Sequence, residues 1–370
     1  MTKDHKRIDF NDNSKKRILF HMRNFRLLVY ILFGIFALTG CAGMKTLTIQ
    51  TQEPAQVTLP KNVGSLLIVD NIVGQPDDMG HTKKRLGRST PEKVSVNTDS
   101  LSIVLTEALT QFLSEEEYFD VVMLYEKPLR KDRAYWKEEP ISPEKMQELK
   151  NETGADAVVS LDKLLVTSDW QDLFVQEGYP YATLRGKISA TMRVYLPTLE
   201  GQIPTVQFID SLYWEGFDIS DGMAYAEFVV PHAEHALKDL TIYTADKLTY
   251  VLTPHWITQE RWYYTLPSST AREAEAFAAQ SKWQEASEKW EAFFNSSKKK
   301  IDKAKVASNI ALAYEMLDDI KTAHTWVMQA QKLFDESTSS DSLERKRVAI
   351  YKTELERRMD NSNKLNMQID

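Results

Sequence analysis

The sequence predicts an α+β protein: an amino-terminal α/β, sandwich-like domain on a mixed sheet, followed by an all-α domain of helical hairpins. Three observations predict it. Between residues 45 and 252 short apolar runs alternate with stretches of helical spacing. Residues 182–196 and 205–217 are long alternating stretches, as expected of an antiparallel pair. From residue 267 the chain reads as helix almost to its end, and one phrase recurs after 37 residues.

The elements follow in order. Thr46-Leu47-Thr48-Ile49-Gln50 alternates with period two and reads as a strand. Ser65-Leu66-Leu67-Ile68-Val69 is a short apolar run, the pattern of a strand buried on both faces. Gly74 to Val94 is polar, holds Gly, Pro and five basic residues, and reads as a mobile loop. Leu101, Val104, Leu105, Ala108, Leu109, Phe112 and Leu113 recur at helical spacing, with Asn97 or Thr98 as the expected cap. Phe119 to Leu124 is the next strand. Ser142-Pro143-Glu144 opens a helix that ends at Gly154, with serine as cap and proline at the first helical position. A strand from Ala157, continuing to Val166, completes a strand–helix–strand–helix–strand run, which predicts helical crossovers. The antiparallel pair comes next, turning at 197–201, and a helix from Val229 to Leu252 closes the domain.

Residues 253–266 form an aromatic joint, from Thr253-Pro254-His255-Trp256 to Arg261-Trp262-Tyr263-Tyr264, expected to be packed rather than a free tether. Helices then fill 267–360. Thr270 and Glu273 have capping-box spacing. Ala274, Phe277, Ser281, Trp283, Ala286 and Trp290 stand at the same offsets as Ala311, Tyr314, Asp318, Ile320, Ala323 and Val327. A capping helix is expected at 342–359 and a disordered tail at 361–370.

The repeated phrase resembles tetratricopeptide repeats, whose period is ~34 residues. It departs from them at the first-turn tryptophan and at the inter-helix glycine, which is Ser281 or Asp318 here. The resemblance implies a protein- or peptide-binding region around Phe277, Trp283, Trp290, Tyr314 and Trp326; a plain helical bundle is the alternative. Two repeats are few for a free-standing solenoid, so docking on the first domain is expected.

The first domain resembles the α/β domain of the curli-secretion lipoprotein and the amino-terminal domain of the translocation protein TolB. The segments that carry this are the strand near Ile68, the helix 98–114, Phe119-Asp120-Val121-Val122, the helix 143–153 and Gly154-Ala155-Asp156-Ala157-Val158-Val159. The whole layout resembles a family of lipoproteins of unknown function from Bacteroidota, through Pro254, Trp256, Arg261, Tyr263 and Tyr264. That family brings no established activity.

At the front, fourteen uncharged residues from Leu27 to Gly40 follow Arg23 and Arg26. The run is too short for a membrane-spanning helix, which needs ~20 residues, and fits a signal-peptide core of ~7–15. Leu38-Thr39-Gly40-Cys41 resembles the lipobox of bacterial lipoproteins. The resemblance implies a signal peptide over 1–40, cleavage before Cys41 and lipid on its sulfur. Met22 offers an alternative start that gives a signal of more usual length. Ala42 in place of aspartate, and no acidic cluster after Cys41, point to the periplasmic side of the outer membrane.

Composition limits the partners. The chain has 370 residues and a net charge of −7. Eight of its 46 basic and three of its 53 acidic residues lie in the first forty, so the remainder carries 38 against 50, a net of −12. Such a body repels phosphate backbones, which argues against nucleic acid. A single cysteine allows no internal disulfide. His232 and His235 are three apart and lack the four-residue spacing of the helical zinc motif. No phosphate loop or nucleophile elbow occurs. Trp170, Trp214, Trp256 and Trp262 fit either a sugar site or, more commonly, core and joint positions. The expectation is a non-enzymatic, membrane-anchored binding or assembly module without metal or cofactor. Its rivals are an oligomeric export or pore component walled by 182–217, and a hydrolase with an unrecognised site.

Overall fold

The computed structural model describes residues 43–174, 180–196, 203–217 and 230–369. Chain contacts divide them into two units: Thr51–Ile257 with the residues from Asp360 onward, and Thr258–Met359 with the residues up to Gln50.

The sheet unit follows the predicted alternation. Strand β2 (Ser65–Asp70) lies between β5 (Val121–Tyr125) and β6 (Ala157–Phe174), parallel to both. Helix α1 (Leu101–Glu115) makes the crossover to β5, and α2 (Pro143–Thr153) the crossover to β6. β7 (Pro180–Tyr195) runs antiparallel along the whole of β6, and β8 (Thr205–Phe217) antiparallel to β7. The register between β6 and β7 shifts once, between Leu161 and Lys163, leaving Asp162 as an extra residue.

The mixed sheet has two cores. On one face Leu66, Ile68, Val159 and Ile188 pack with Leu105 and Leu109 of α1 and with Leu240 and Leu248 of α3 (Ala233–Leu252). On the other, Leu67, Val69 and Val158 meet Leu149 of α2, Ile141 and Tyr195. β2 is therefore buried on both faces, as its unbroken apolar run predicted. Beyond the bulge the second face opens, and Arg185, Lys187 and Ile209 are exposed there.

Local chemistry explains the joints. Ser142 caps α2 by accepting from the Lys145 amide at 3.3 Å, Pro143 follows it, and Gly154 ends the helix at φ +71°. Asp156 then accepts from the amides of Gly64 and Ser65 and from the Ser65 hydroxyl, tying the starts of β2 and β6 together. The Ser65 hydroxyl and the amides hold its carboxyl below the usual range.

Several expectations are corrected. The segment Gly74–Val94 is not a loop throughout: β3 (His81–Lys84) pairs parallel with the far half of β6, and β4 (Glu92–Lys93) pairs with β3. The buried His81 side chain pins it to β6, a contact that a composition count does not register. The residue at the N-cap position of α1 is Ser100, whose side chain makes no capping bond, while Asn97 accepts from the Asp99 amide in the preceding turn. The closing helix begins at Ala233; Val229 and the turn at 197–201 lie outside the described residues. The tail is helical to Ile369 rather than disordered. There Gln368 is buried, exchanges hydrogen bonds with both backbone groups of Ala55 and donates to Thr58.

In the second unit, the aromatic joint is a strand. β9 (His255–Tyr264) pairs with β1 (Met44–Glu53) in a two-stranded sheet. Helices α4 (Ser269–Ala278) and α5 (Trp283–Ser296) form one hairpin, α6 (Lys300–Met316) and α7 (Ile320–Ser337) the next, and α8 (Leu343–Ile369) follows. α4 begins after Ser268 and not at Thr270, since Leu266 engages Glu275 and sets the chain's entry two residues earlier. The repeated phrase marks a real equivalence. Ser281 and Asp318 both adopt left-handed backbone, at φ +58° and +61°. The amide of Lys282 donates to Phe277, and that of Asp319 to Tyr314, 37 residues on. A Cβ in that region costs about 1–2 kcal/mol. Replacing Ser281 with glycine should therefore raise the unfolding free energy by about 1 kcal/mol, and Gly154→Ala should lower it by a similar amount. Urea titration of the two variants checks both signs.

Candidate functional site

The surface that the sequence marks for a partner is the row of helical hairpins, and the structure shows what lies against it. α6 is alanine-rich and buried nearly all round from Ala304 to Ala313. Within that run stand polar residues that helical periodicity cannot explain. Asn309 is fully buried; its carbonyl oxygen accepts from the Tyr264 amide at 2.7 Å and its amide donates to the Tyr264 carbonyl at 2.8 Å. Glu275 of α4 accepts from the Leu266 amide at 3.0 Å. The first helix of each hairpin thus grips the end of β9 through its main chain. The main chain at the last residue of β9 and two residues beyond it is bound by the hairpins' first helices.

The side chains of β9 complete the contact. Arg261 donates to both oxygens of Glu315, at 3.0–3.1 Å, with the carboxylate wholly buried. Arg358 donates to the same carboxylate at 2.8 Å, and the Tyr351 hydroxyl donates to it at 2.7 Å. Burial and the neighbouring carboxylate push the Tyr351 hydroxyl well up. Tyr263 lies 5.8 Å from Trp290, and Tyr264 5.9 Å from Phe334. Burial raises Tyr264 to about 12. These contacts account for the Arg-X-Tyr-Tyr phrase.

The five residues marked for partner binding are divided. Trp283 and Trp290 are buried in the hairpin core, and Trp290 has no exposure at all. Phe277, Tyr314 and Trp326 are half-buried. Tyr314 donates to Glu291 at 2.9 Å, and Trp326 meets Phe294 edge-on at 5.2 Å. Asn309, Glu315 and Glu275 were not singled out from sequence. Their signal is partial: Val306, Leu312 and Ala313 stand a turn from Asn309, Ala271, Ala278 and Ala279 from Glu275, and Ala311 and Leu312 from Glu315, but Lys305, Arg272 and Asp318 stand at the same spacing.

A second polar cluster sits at the carboxyl ends of the parallel strands, where the crossovers leave β2 to opposite sides. α/β sheets commonly bind ligands at such a switch point. Here Asp162 is bonded by Asn71 at 2.8 Å, by Ser160 and by Arg193, and Arg193 also reaches Glu138 at 3.2 Å. Beside it an apolar cavity of about 200 Å³ is lined by Ile141, Met146, Tyr195, Leu196 and Ile203 among others. The Tyr195 hydroxyl already accepts from the Ile141 amide at 2.9 Å. Of the tryptophans weighed for a sugar site, Trp170 and Trp214 share a small apolar core with Ala182, Leu184 and Ala236. Trp170 is buried and bonded to Asp172, Trp214 packs against the sheet core, Trp262 is half-buried, and Trp256 is 65% exposed. His232 and His235 are exposed on the surface. Among the described residues no three His, Cys, Asp or Glu side chains form a metal-holding group, and no helix is long and apolar enough to cross a membrane. Cys41 and the whole of 1–40 lie outside the described residues.

Residues 63–264 match the family model described as Domain of unknown function (DUF8603), and residues 272–357 match Domain of unknown function (DUF6340). The chain matches no curated protein. Among solved structures, protein XCC0632 from Xanthomonas campestris, of family model DUF330, is similar at 11% identity, covering 53% of this chain and 90% of its own, with a TM-score of 0.25. The hypothetical protein CT253 from Chlamydia trachomatis is similar at 13% identity, covering 51% and 98%, with a TM-score of 0.24. TM-scores this low carry no argument about fold or function.

Breaking the buried contacts should be costly. Glu315→Gln leaves two guanidinium groups facing a neutral amide and should destabilise the chain by about 3–5 kcal/mol. Asn309→Ala strands an amide and a carbonyl of Tyr264 and should cost about 2–4 kcal/mol. Chemical denaturation followed by tryptophan fluorescence measures both.

Proposed function

The chain belongs to the family described as Domain of unknown function (DUF8603), and from that premise we propose that it is a non-enzymatic protein-binding or assembly module of the cell envelope. It is tethered by lipid on Cys41 and faces the periplasm from the outer membrane. In this reading it is a lipoprotein of the Bacteroidota kind, with tetratricopeptide-like hairpins. The observation that carries the reading is the pair of hairpins whose turns repeat at a 37-residue shift, down to left-handed Ser281 and Asp318. Stacked hairpins bury a shared core and leave their outer faces for partners. Since the chain at Tyr264 and Leu266 is already bound to α6 and α4, this reading gives the partner another face of the hairpins. Leu317, a turn from half-buried Tyr314 at the end of α6, and Met328 on α7 are exposed apolar residues of the hairpins. The lipobox residues Leu38 to Cys41 and the acidic body support a tether rather than charge-driven membrane binding.

A second reading, an oligomeric export component, draws on one feature: β8 ends the sheet on one side, with Ile209 74% and Tyr213 56% exposed. A monomer by sedimentation in detergent removes it.

Replacing Cys41 with serine should move the chain from the detergent phase to the aqueous phase and leave it longer by the signal peptide; unchanged partitioning refutes the tether. Capture from envelope fractions, comparing the native chain with Leu317→Asp/Met328→Asp, should show a partner lost with the substitutions. Identical captures count against the outer helix face.

A further inference from the structure

His81 lies in β3 with no solvent exposure. Its Nδ1 is 2.9 Å from the Ser168 hydroxyl on β6, and its Nε2 is 3.3 Å from the side-chain nitrogen of Gln75. The orientation of Gln75 is dictated by the backbone around it. Its carbonyl oxygen accepts from the Val166 amide at 2.8 Å. Its nitrogen donates to the Val166 carbonyl at 2.9 Å and to the Met79 carbonyl at 3.2 Å. Turning the amide over would set like groups against each other at three places. Gln75 therefore turns towards His81 an amide nitrogen whose two hydrogens are shared among three acceptors and which cannot itself accept, so Nε2 is the unprotonated position and Nδ1 carries the proton, donating to Ser168.

A second proton has no acceptor there. Protonation at Nε2 sets an N–H against the N–H of Gln75, inside a site without water exposure. The charged side chain that favours the imidazolium is Asp77, in the loop ahead of β3. Lys83, two residues along on the same face of β3, holds its ammonium 4.2 Å over Trp170. β6 offers the uncharged Ser168. From α3 the side chains nearest the adjoining Gly186 are the apolar Leu237 and Leu240. Burial outweighs Asp77, and the imidazole is held below its ordinary 6.5.

Besides the short ladders of β3 with β6 and β4 and the Thr82–Asp169 bond, three main-chain bonds hold the segment around His81. The carbonyl of His81 accepts from Val94, that of Gly80 from Ser168 and that of Asp77 from Val96, at 3.0–3.2 Å. β3 is four residues long and β4 two. We propose that His81 is an acid-operated latch: taking a proton from solvent at Nε2 releases the segment 75–96 from β6 and bares the β6 edge at Ser168–Gln171. Because the folded group binds its proton more weakly than the unfolded one, the closed form has its full stability above pH 6.5. That stability is lost as pH falls through the folded value.

Amide hydrogen exchange on the whole chain at pH 7.5 and 5.0, corrected for intrinsic rates, tests the latch. Protection at Val94, Val96, Val166 and Ser168 should fall at least tenfold at pH 5.0, while that of Leu67 and Ile68 in β2 stays. In Gln75→Glu, whose carboxylate can accept from the imidazolium, the fall should be absent. Nitrogen NMR at pH 7.5 should place the His81 proton on Nδ1. A proton on Nε2, or equal protection of the four amides at both pH values, overturns the proposal. Should the glutamate variant fail to fold, these two measurements on the native chain still decide.

Discussion

At Asp162 the central strand gains one residue over its partner, and both halves of the sheet follow from how that residue is satisfied. A buried carboxylate left unpaired would carry a large desolvation penalty. Here Arg193 neutralises it, and Asn71 and Ser160 fill its remaining acceptor sites. Asn71 also donates to the Glu139 carbonyl, which draws the segment before α2 over the ends of the parallel strands. Ahead of the bulge β6 is the parallel neighbour of β2, with both faces covered; after it, β6 is the parallel neighbour of β3, with one face open. One strand thus serves two sheet environments.

The hairpin unit answers the same difficulty with a different group. Glu315, at the end of α6, is surrounded by two guanidinium groups and a phenol, supplied by elements far apart in sequence, β9 and α8. Such a network specifies which strand may lie against α6, since another residue at position 261 would take away the donor that reaches both carboxylate oxygens. Asn309 adds a main-chain grip that is indifferent to side-chain identity. Between them they make β9 part of the helical unit, a packed joint as its aromatic residues suggest, but built as a strand.

Legibility in the sequence tracked how local the cause was. The α2 boundaries were readable because Ser142, Pro143 and Gly154 act on their own helix. The double burial of β2 was readable because five apolar residues in a row exclude a solvent face. The repeat was readable as spacing, and Ser281 and Asp318 could be named as standing where glycine usually stands. β3, β4 and the strand character of 255–264 were not readable. Their stabilising partners lie far along the chain, as Ser168 does for His81 and Asn309 for Tyr264.

By itself the sequence determined the α+β class and the order and kind of the longer sheet and helix elements, though not of β3, β4 and β9, because burial pattern and capping are properties of neighbouring residues. Tertiary structure alone decided where the polar residues go. Whether Asn309 or His81 is a surface group or the hub of a buried contact depends on which backbone comes to rest against it, and that is settled by packing over tens to hundreds of residues rather than by local spacing.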